Sequence, residues 1–298
     1  MPSPSSAAVS AMHHLSEWYR GAARDLPWRR AEFHEEYGAW GTLVSEFMLQ
    51  QTPVNRVIPH LTAWLARWPR PSLLAAAAPA DVVTQWANLG YPRRALWLHR
   101  AAIEITDRHG GVVPRDVDAL LALTGIGDYT ARAVAAFAYG DRHPVVDTNT
   151  RRVLARAVDG QSQPSPPSRR DLTLMESLLP ASDAESAVFN AAAMELGATV
   201  CTARSPKCDV CPLRTSCAWV AAGRPDTGDT RRRQAAFEGS DRQARGAVLR
   251  LLRSRPAGVL LDAVLPDWPD PHQRDRAIGT LISDGLAEAD GELLTLPR

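Results

Sequence analysis

Lysine is almost missing from this 298-residue chain: Lys207 is the only one, and every other basic residue is arginine. A side-chain amine for imine chemistry is therefore unavailable except at that one position. Long apolar runs are missing as well, and none approaches the ~20 residues that cross a bilayer. Stretch 1–17 has neither a basic start nor an apolar segment, which speaks against a secretory leader. The expectation is a soluble cytoplasmic protein. An excess of one charge is absent too. Lys and Arg total 34 against 33 Asp and Glu, a formal net charge of +1. That balance excludes a globally basic surface and leaves only local basic faces.

Cysteine is scarce, and its four copies are crowded together as Cys201-x6-Cys208-x2-Cys211-x5-Cys217. Thiols this close suit a metal centre better than two disulfides, which belong to oxidising compartments. Pro206, Lys207 and Pro212 mark a tight loop. Zinc sites prefer two short knuckles, and only Cys208-x2-Cys211 is one. A four-cysteine iron–sulfur cluster, [4Fe–4S], is the better reading.

Apolar residues recur at three- and four-residue intervals over Val44–Leu49, Val57–Trp68, Ala80–Leu89, Arg94–Arg108, Val117–Leu123, Tyr129–Tyr139, Arg151–Val158, Leu172–Leu179 and Ala184–Leu196. Pro53, Pro79, Gly90, Gly110–Gly111 and Pro114 punctuate them. The expected fold class is all-α. Gln161–Arg170 reads as an exposed loop, and Gly223–Ser240, with its Arg231–Arg233 run, as a polar linker. Beyond it, Gln243–Arg253 and Gln273–Asp284 read as helices and Glu292–Leu296 as a short strand. That outline fits a small winged-helix-like module or a helical cap on the main body.

Three motifs carry chemistry. Leu123-Thr124-Gly125-Ile126-Gly127 joins two helices, and its glycines permit a sharp turn with bare N–H groups at the next helix start. Such a turn holds a phosphate oxygen, although many Gly-x-Gly turns are plain connections. In Val145-Val146-Asp147-Thr148-Asn149, Asp147 stands at the head of a helix. It reads as an N-cap, and capping would also keep the carboxylate ionised. In Val44-Ser45-Glu46-Phe47-Met48-Leu49-Gln50-Gln51-Thr52, Glu46 interrupts an apolar stretch. It reads either as a solvated helix face or as a buried general acid. One protonated and one ionised carboxyl is the logic of glycosidic cleavage.

Taken as a set, these residues resemble the helix-hairpin-helix DNA glycosylase superfamily in its iron–sulfur branch, and within it the MutY family of adenine glycosylases. Further matching segments are Leu26-Pro27-Trp28, Asn88-Leu89-Gly90-Tyr91, Phe189-Asn190 and Glu195-Leu196-Gly197, and the similarity runs from Trp18 to Cys217. The resemblance implies two helical domains with a DNA-binding cleft between them. In residue terms it implies an N-terminal helix at 1–30, a six-helix barrel with the hairpin at 31–140, an iron–sulfur domain at 141–222, a linker at 223–240 and the small module at 241–298.

What the resemblance implies for chemistry is a monofunctional glycosylase that flips out adenine mispaired with 8-oxoguanine or guanine. Glu46 would protonate the base at N7, Asp147 would stabilise the oxocarbenium-like sugar, and Tyr129 and Asn149 would position around them. DNA contacts would come from Gln50, Gln51, Thr52, Tyr91, Leu123, Gly125 and Gly127. Cys201, Cys208, Cys211 and Cys217 would hold the [4Fe–4S] cluster. Relatives that cut the backbone use a lysine where this chain has Tyr129, so lyase chemistry is not expected. The implied partner is double-stranded DNA, met by a nucleoid-associated monomer. Many members carry a Nudix-like β domain for the opposite base, and residues 224–298 are too short for one. Ala191 stands where members often carry Glu or Gln near the base. Two other readings stay open, a mismatch thymine glycosylase and a non-catalytic iron–sulfur protein that binds DNA as a redox sensor.

Overall fold

A computed structural model describes residues 6–225 and 236–298, with side chains from His14 onward. The Arg231–Arg233 run lies outside the described residues. Helices dominate, in the order α1 Ser6–Ala22, α2 Ala31–Leu49, α3 Val54–Arg67, α4 Pro71–Ala75, α5 Pro79–Trp86, α6 Arg93–His109 and α7 Val117–Leu121. They continue with α8 Asp128–Tyr139, α9 Thr148–Ala157, α10 Arg169–Leu178, α11 Asp183–Thr199 and α12 Ala218–Ala221. The last part holds α13 Asp241–Ser254, β1 Val259–Leu260, α14 Pro271–Ser283, β2 Glu288–Asp290 and β3 Leu293–Thr295. The all-α expectation holds up to the C-terminal module. No helix among the described residues is long and apolar enough to cross a membrane.

The chain forms two compact units. One takes Met1–Thr42, Arg115–Leu121 and Ile126–Arg231; the other takes Leu43–Pro114, Ala122–Gly125 and Arg232–Arg298. In the first unit, α1, α9, α10 and α11 close around Leu15, Val153, Met175, Phe189 and Leu196. These positions recur at helical spacing and form one apolar stripe per helix. Leu213, from the cysteine loop, joins the same core.

In the second unit, α4 and α5 pack against α6. Trp64 meets Trp68 and Trp86 edge to face, with ring centroids 4.7 and 5.5 Å apart. This aromatic cluster gives the short helices a rigid base. Helix α6 stops at Gly110, whose φ of +60° suits a left-handed cap.

The C-terminal module has the order helix, strand, turn, helix and two-stranded hairpin. Its antiparallel sheet runs β1-β3-β2, with Leu294 paired to both Val259 and Ala289. Two helices and a three-stranded sheet are what the module contains. The module is also a cap, because Val83 of α5 enters its core beside Val248, Leu252, Leu281 and Leu294. Arg253 Nε donates to the Val83 carbonyl at 3.2 Å. Strands β1 and β2 escape sequence reading for a simple reason. β1 has two residues, and all three of β2 are exposed, so neither shows an alternating pattern.

Candidate active site

Glu46 lies in the last turns of α2, with Val44, Phe47 and Met48 buried around it, and is only 5% exposed. Its Oε2 is sealed from solvent. The solvated-face reading of Glu46 is therefore wrong, because the helix turns this residue inward with its apolar neighbours. The chain then leaves α2 through Gln51 at a φ of +55°. Across from it, Gly90 and Tyr91 also have positive φ, +92° and +45°. Non-glycine residues rarely adopt this region, and the strain persists only where the surroundings hold it.

Arg94 does the holding. It donates to the carbonyls of Phe47 at 2.5 Å, Met48 at 3.1 Å and Gly90 at 3.1 Å, and to Thr52 Oγ1 at 2.9 Å. Burial pulls the Arg94 guanidinium down to about 10. Sequence reading missed Arg94, since nothing local marks an arginine at the start of a helix as a clamp. Gln50, Gln51 and Tyr91 line one open cleft, whereas Thr52 is buried beneath it.

The hairpin turn is anchored from below. Thr124 donates its backbone N–H and its hydroxyl to the two Glu104 oxygens, each at 2.8 Å. Burial pushes the Glu104 carboxyl up, but the Thr124 donors and the nearby Arg108 and Arg100 outweigh it and leave it lowered. Gly125 has a φ of +78°, and a Cβ there would stand 2.8 Å from Trp97 Cβ. Gly127 is the extended N-cap of α8 and is exposed, while Leu123 is buried. Sequence reading missed Glu104 because α6 presents it as one more charged residue in an amphipathic helix.

Asp147 caps α9. Its Oδ1 accepts from the Thr150 N–H at 2.6 Å and its Oδ2 from Asn149 Nδ2 at 2.7 Å. Asn149 in turn accepts from Arg152 at 2.8 Å, and Arg152 donates to the carbonyls of Gly197 at 2.6 Å and Cys201 at 2.7 Å. The carboxylate is thus fixed through a chain of donors that ends at the cysteine loop. Tyr129 of α8 is half-buried against Ala133, Ala136 and Val145. Within the first unit, then, Asp147 and Asn149 are brought together. Glu46 belongs to the second unit.

The four cysteines are free thiols around one small pocket, shared with Arg156, Lys207 and Trp219. Burial pushes the Cys211 thiol up to about 11, and Cys201, Cys217 and Cys208 push it the same way. Four sulfurs that feel one another, with cationic Arg156 Nη1 3.4 Å from Cys201 Sγ, form a donor set that fits a polynuclear iron centre. Among the described residues no three His, Cys, Asp or Glu side chains are placed for a single ion. Arg156 also ties the carbonyls of Ser162, Thr202 and Ala203. Its role and that of Arg152 were not legible in sequence, where both look like solvent-facing charges of α9.

Comparison with known proteins agrees with this geometry. Residues 44–176 match the HhH-GPD superfamily of base excision DNA repair proteins, and residues 201–217 the iron–sulfur binding domain of endonuclease III. An adenine DNA glycosylase of Mycolicibacterium smegmatis is 54% identical over 287 residues, covering 95% of both chains. The chain belongs to the adenine DNA glycosylases. A second member, from Mycobacterium tuberculosis, is 47% identical over 293 residues, covering 96% of this chain and 93% of its own. Among solved structures, a thermostable thymine-DNA glycosylase superposes with a TM-score of 0.63 at 26% identity, over 72% of this chain and 95% of its own.

This adenine glycosylase is therefore a base-excision repair enzyme that acts on DNA and carries an iron–sulfur cluster, its binding domain matched at residues 201–217. Its likeness to the M. smegmatis adenine glycosylase, at 95% of the chain, takes in the C-terminal module as well.

Proposed function

We propose that the enzyme removes adenine mispaired with 8-oxoguanine or guanine, working as a monomer on double-stranded DNA. Adenine is flipped out of the stack. Glu46 gives a proton to N7, which makes the base a better leaving group. Asp147 stabilises the oxocarbenium-like sugar, and water completes the hydrolysis to an abasic site. The observation that carries this reading is the contrast between the two carboxyls. Glu46 is only 5% exposed, and burial disfavours an ionised carboxylate. Asp147 is held in place by two N–H donors, from Asn149 and Thr150.

Tyr129 and Asn149 position these groups. Tyr129 has no amine, so the enzyme forms no imine with the sugar and leaves the backbone uncut. Gln50, Gln51 and Tyr91 meet the duplex from the strained loops, and Thr52 supports them from below. The hairpin Leu123, Gly125 and Gly127 anchors a phosphate. The cluster, [4Fe–4S] on Cys201, Cys208, Cys211 and Cys217, supplies structural cross-linking of its loop. That loop then buttresses α9 through Arg152 and Arg156. Residues 31–140 and 141–222 act as the two working domains, and 241–298 is an added module.

Single-turnover base release tests the reading on duplexes with A opposite 8-oxoguanine, A opposite guanine and T opposite guanine. Adenine release that vanishes in Glu46→Gln and in Asp147→Asn is the expected result. Undiminished release by either variant removes that residue from the chemistry, and release of thymine instead overturns the substrate assignment.

A further inference from the structure

The overall charge of the chain is nearly balanced, yet one cleft within the second unit is not. It measures about 940 Å³ and is walled by the Asn88–Arg94 segment on one side and α13 on the other. Among the described residues seven arginines line it, and Asp284 is the sole carboxylate. Asp284 is already taken, by Arg245 at 2.6 Å and Arg93 at 3.3 Å. Arg250 is exposed at the rim. Arg253 lies deeper, and its Nη2 is shielded from solvent with no hydrogen-bond partner. Burial, and then the charge of Arg250, lowers the Arg253 guanidinium to about 10. Aromatic faces complete the walls: Tyr91 is 46% exposed and Phe237 61% exposed.

Fixed positive charges crowded beside aromatic rings repel one another and are stabilised by a polyanion. A phosphodiester strand supplies both partners, phosphates for the guanidinium forks and flat bases for the rings. We propose that this cleft is a DNA-strand site built jointly by the barrel helices and the C-terminal module, with Arg242 and Arg250 of α13 neutralising backbone phosphates. The proposal rests on the enzyme acting on duplex DNA, and it gives the module a task. In place of a capping helix pair, α13 becomes a second wall of the DNA-contacting surface.

The test is equilibrium binding of the full-length enzyme to a fluorescent duplex carrying a tetrahydrofuran abasic analogue, measured from 50 to 300 mM salt. The double variant Arg242→Ala/Arg250→Ala removes two side chains from the exposed face of α13. If both meet phosphates, the slope of log K against log salt becomes shallower by about 1.8, and affinity at 0.1 M salt falls about tenfold or more. Arg255→Ala, exposed on the same module outside the cleft, is the control and leaves slope and affinity unchanged. An unaltered slope in the double variant overturns the proposal and leaves the cleft to another partner, such as an acidic protein segment. An equal loss in Arg255→Ala overturns it too, since the effect would then be one of general charge. The tetrahydrofuran site carries no base to release, so this outcome is independent of the base-release assay. An enzyme that binds as described but frees no adenine would sink the proposed chemistry and leave the strand site standing.

Discussion

Gly197→Ala is the substitution whose effect follows most directly from the structure. Gly197 lies inside α11, where alanine would ordinarily be preferred by about 1 kcal/mol. Here a Cβ would stand 2.7 Å from the Asn149 Cβ and carbonyl oxygen and 2.8 Å from its carbonyl carbon. Carbon atoms pack comfortably at about 3.5–4.0 Å, so the two helices must part by about 1 Å. No rotamer change relieves the contact, because two of the three atoms are backbone. The first turn of α9 has to give way, and Asp147 goes with it through its bond to Asn149. Overpacking of this kind costs about 1–3 kcal/mol, part of which the helix preference offsets. A misplacement of about 1 Å at a reacting group lowers the rate about 100-fold. The expected result is therefore a small change in melting temperature and a large loss of single-turnover adenine release, with duplex affinity preserved. Gly279→Ala in α14, where a Cβ meets nothing within 4 Å, serves as the comparison and should only stabilise. Release within twofold of the parent enzyme would refute the claim that α11 sets the position of the Asp147 carboxylate.

Other perturbations have equally definite outcomes. Gly125→Ala combines a left-handed backbone with a contact 2.8 Å from Trp97 Cβ. It should lose about 2–4 kcal/mol in urea denaturation, and a loss under 0.5 kcal/mol would show that the turn can rearrange. Arg156→Ala strips donors from three loop carbonyls and from Cys201 Sγ. A stability loss of about 3 kcal/mol, with faster bleaching of the cluster's visible absorbance, is expected; an unchanged bleaching rate would detach α9 from the cluster loop. Glu195 is fully buried and gathers Arg24 at 2.7 Å and Arg29 at 2.9 Å. Burial pushes its carboxyl up, but the two arginines prevail and leave it lowered. Its contribution is therefore present above the unfolded carboxylate value, about 4.3, and drains away as pH falls through the folded value. Glu195→Gln should lower stability by about 3 kcal/mol at neutral pH and flatten the acid limb of a melting-temperature profile. A variant with the same acid limb as the parent would contradict this assignment.

Much of the site was legible in the linear chain because its chemistry is local. Four cysteines within one short loop have few geometric options. Asp147 announces itself as a cap because the Thr150 N–H it accepts from is three residues away. Glu46 was visible as an odd residue in an apolar stretch, but its burial was not, since helical spacing alone leaves open which way a face turns. The supporting residues were hidden for the opposite reason. Arg94 reaches back to Phe47, Glu104 forward to Thr124, and Arg152 across to Gly197. Partners this far apart in sequence leave no periodic trace in either segment.

The C-terminal module shows the same division. Its two helices follow from their apolar stripes, and the turn at Asp290–Gly291 from its residue types. That the module shares a core with Val83, and that α13 turns its arginines toward Tyr91, depends on packing between segments more than 150 residues apart. The sequence by itself determined the helical class, the iron–sulfur loop and the near-absence of lysine, because each depends on residue identity and short-range spacing. Only the tertiary structure decided which carboxyl is buried, what holds the other in place and which arginines collect in one cleft. Those properties arise from distances between remote segments, and distance in space is what a linear pattern does not encode.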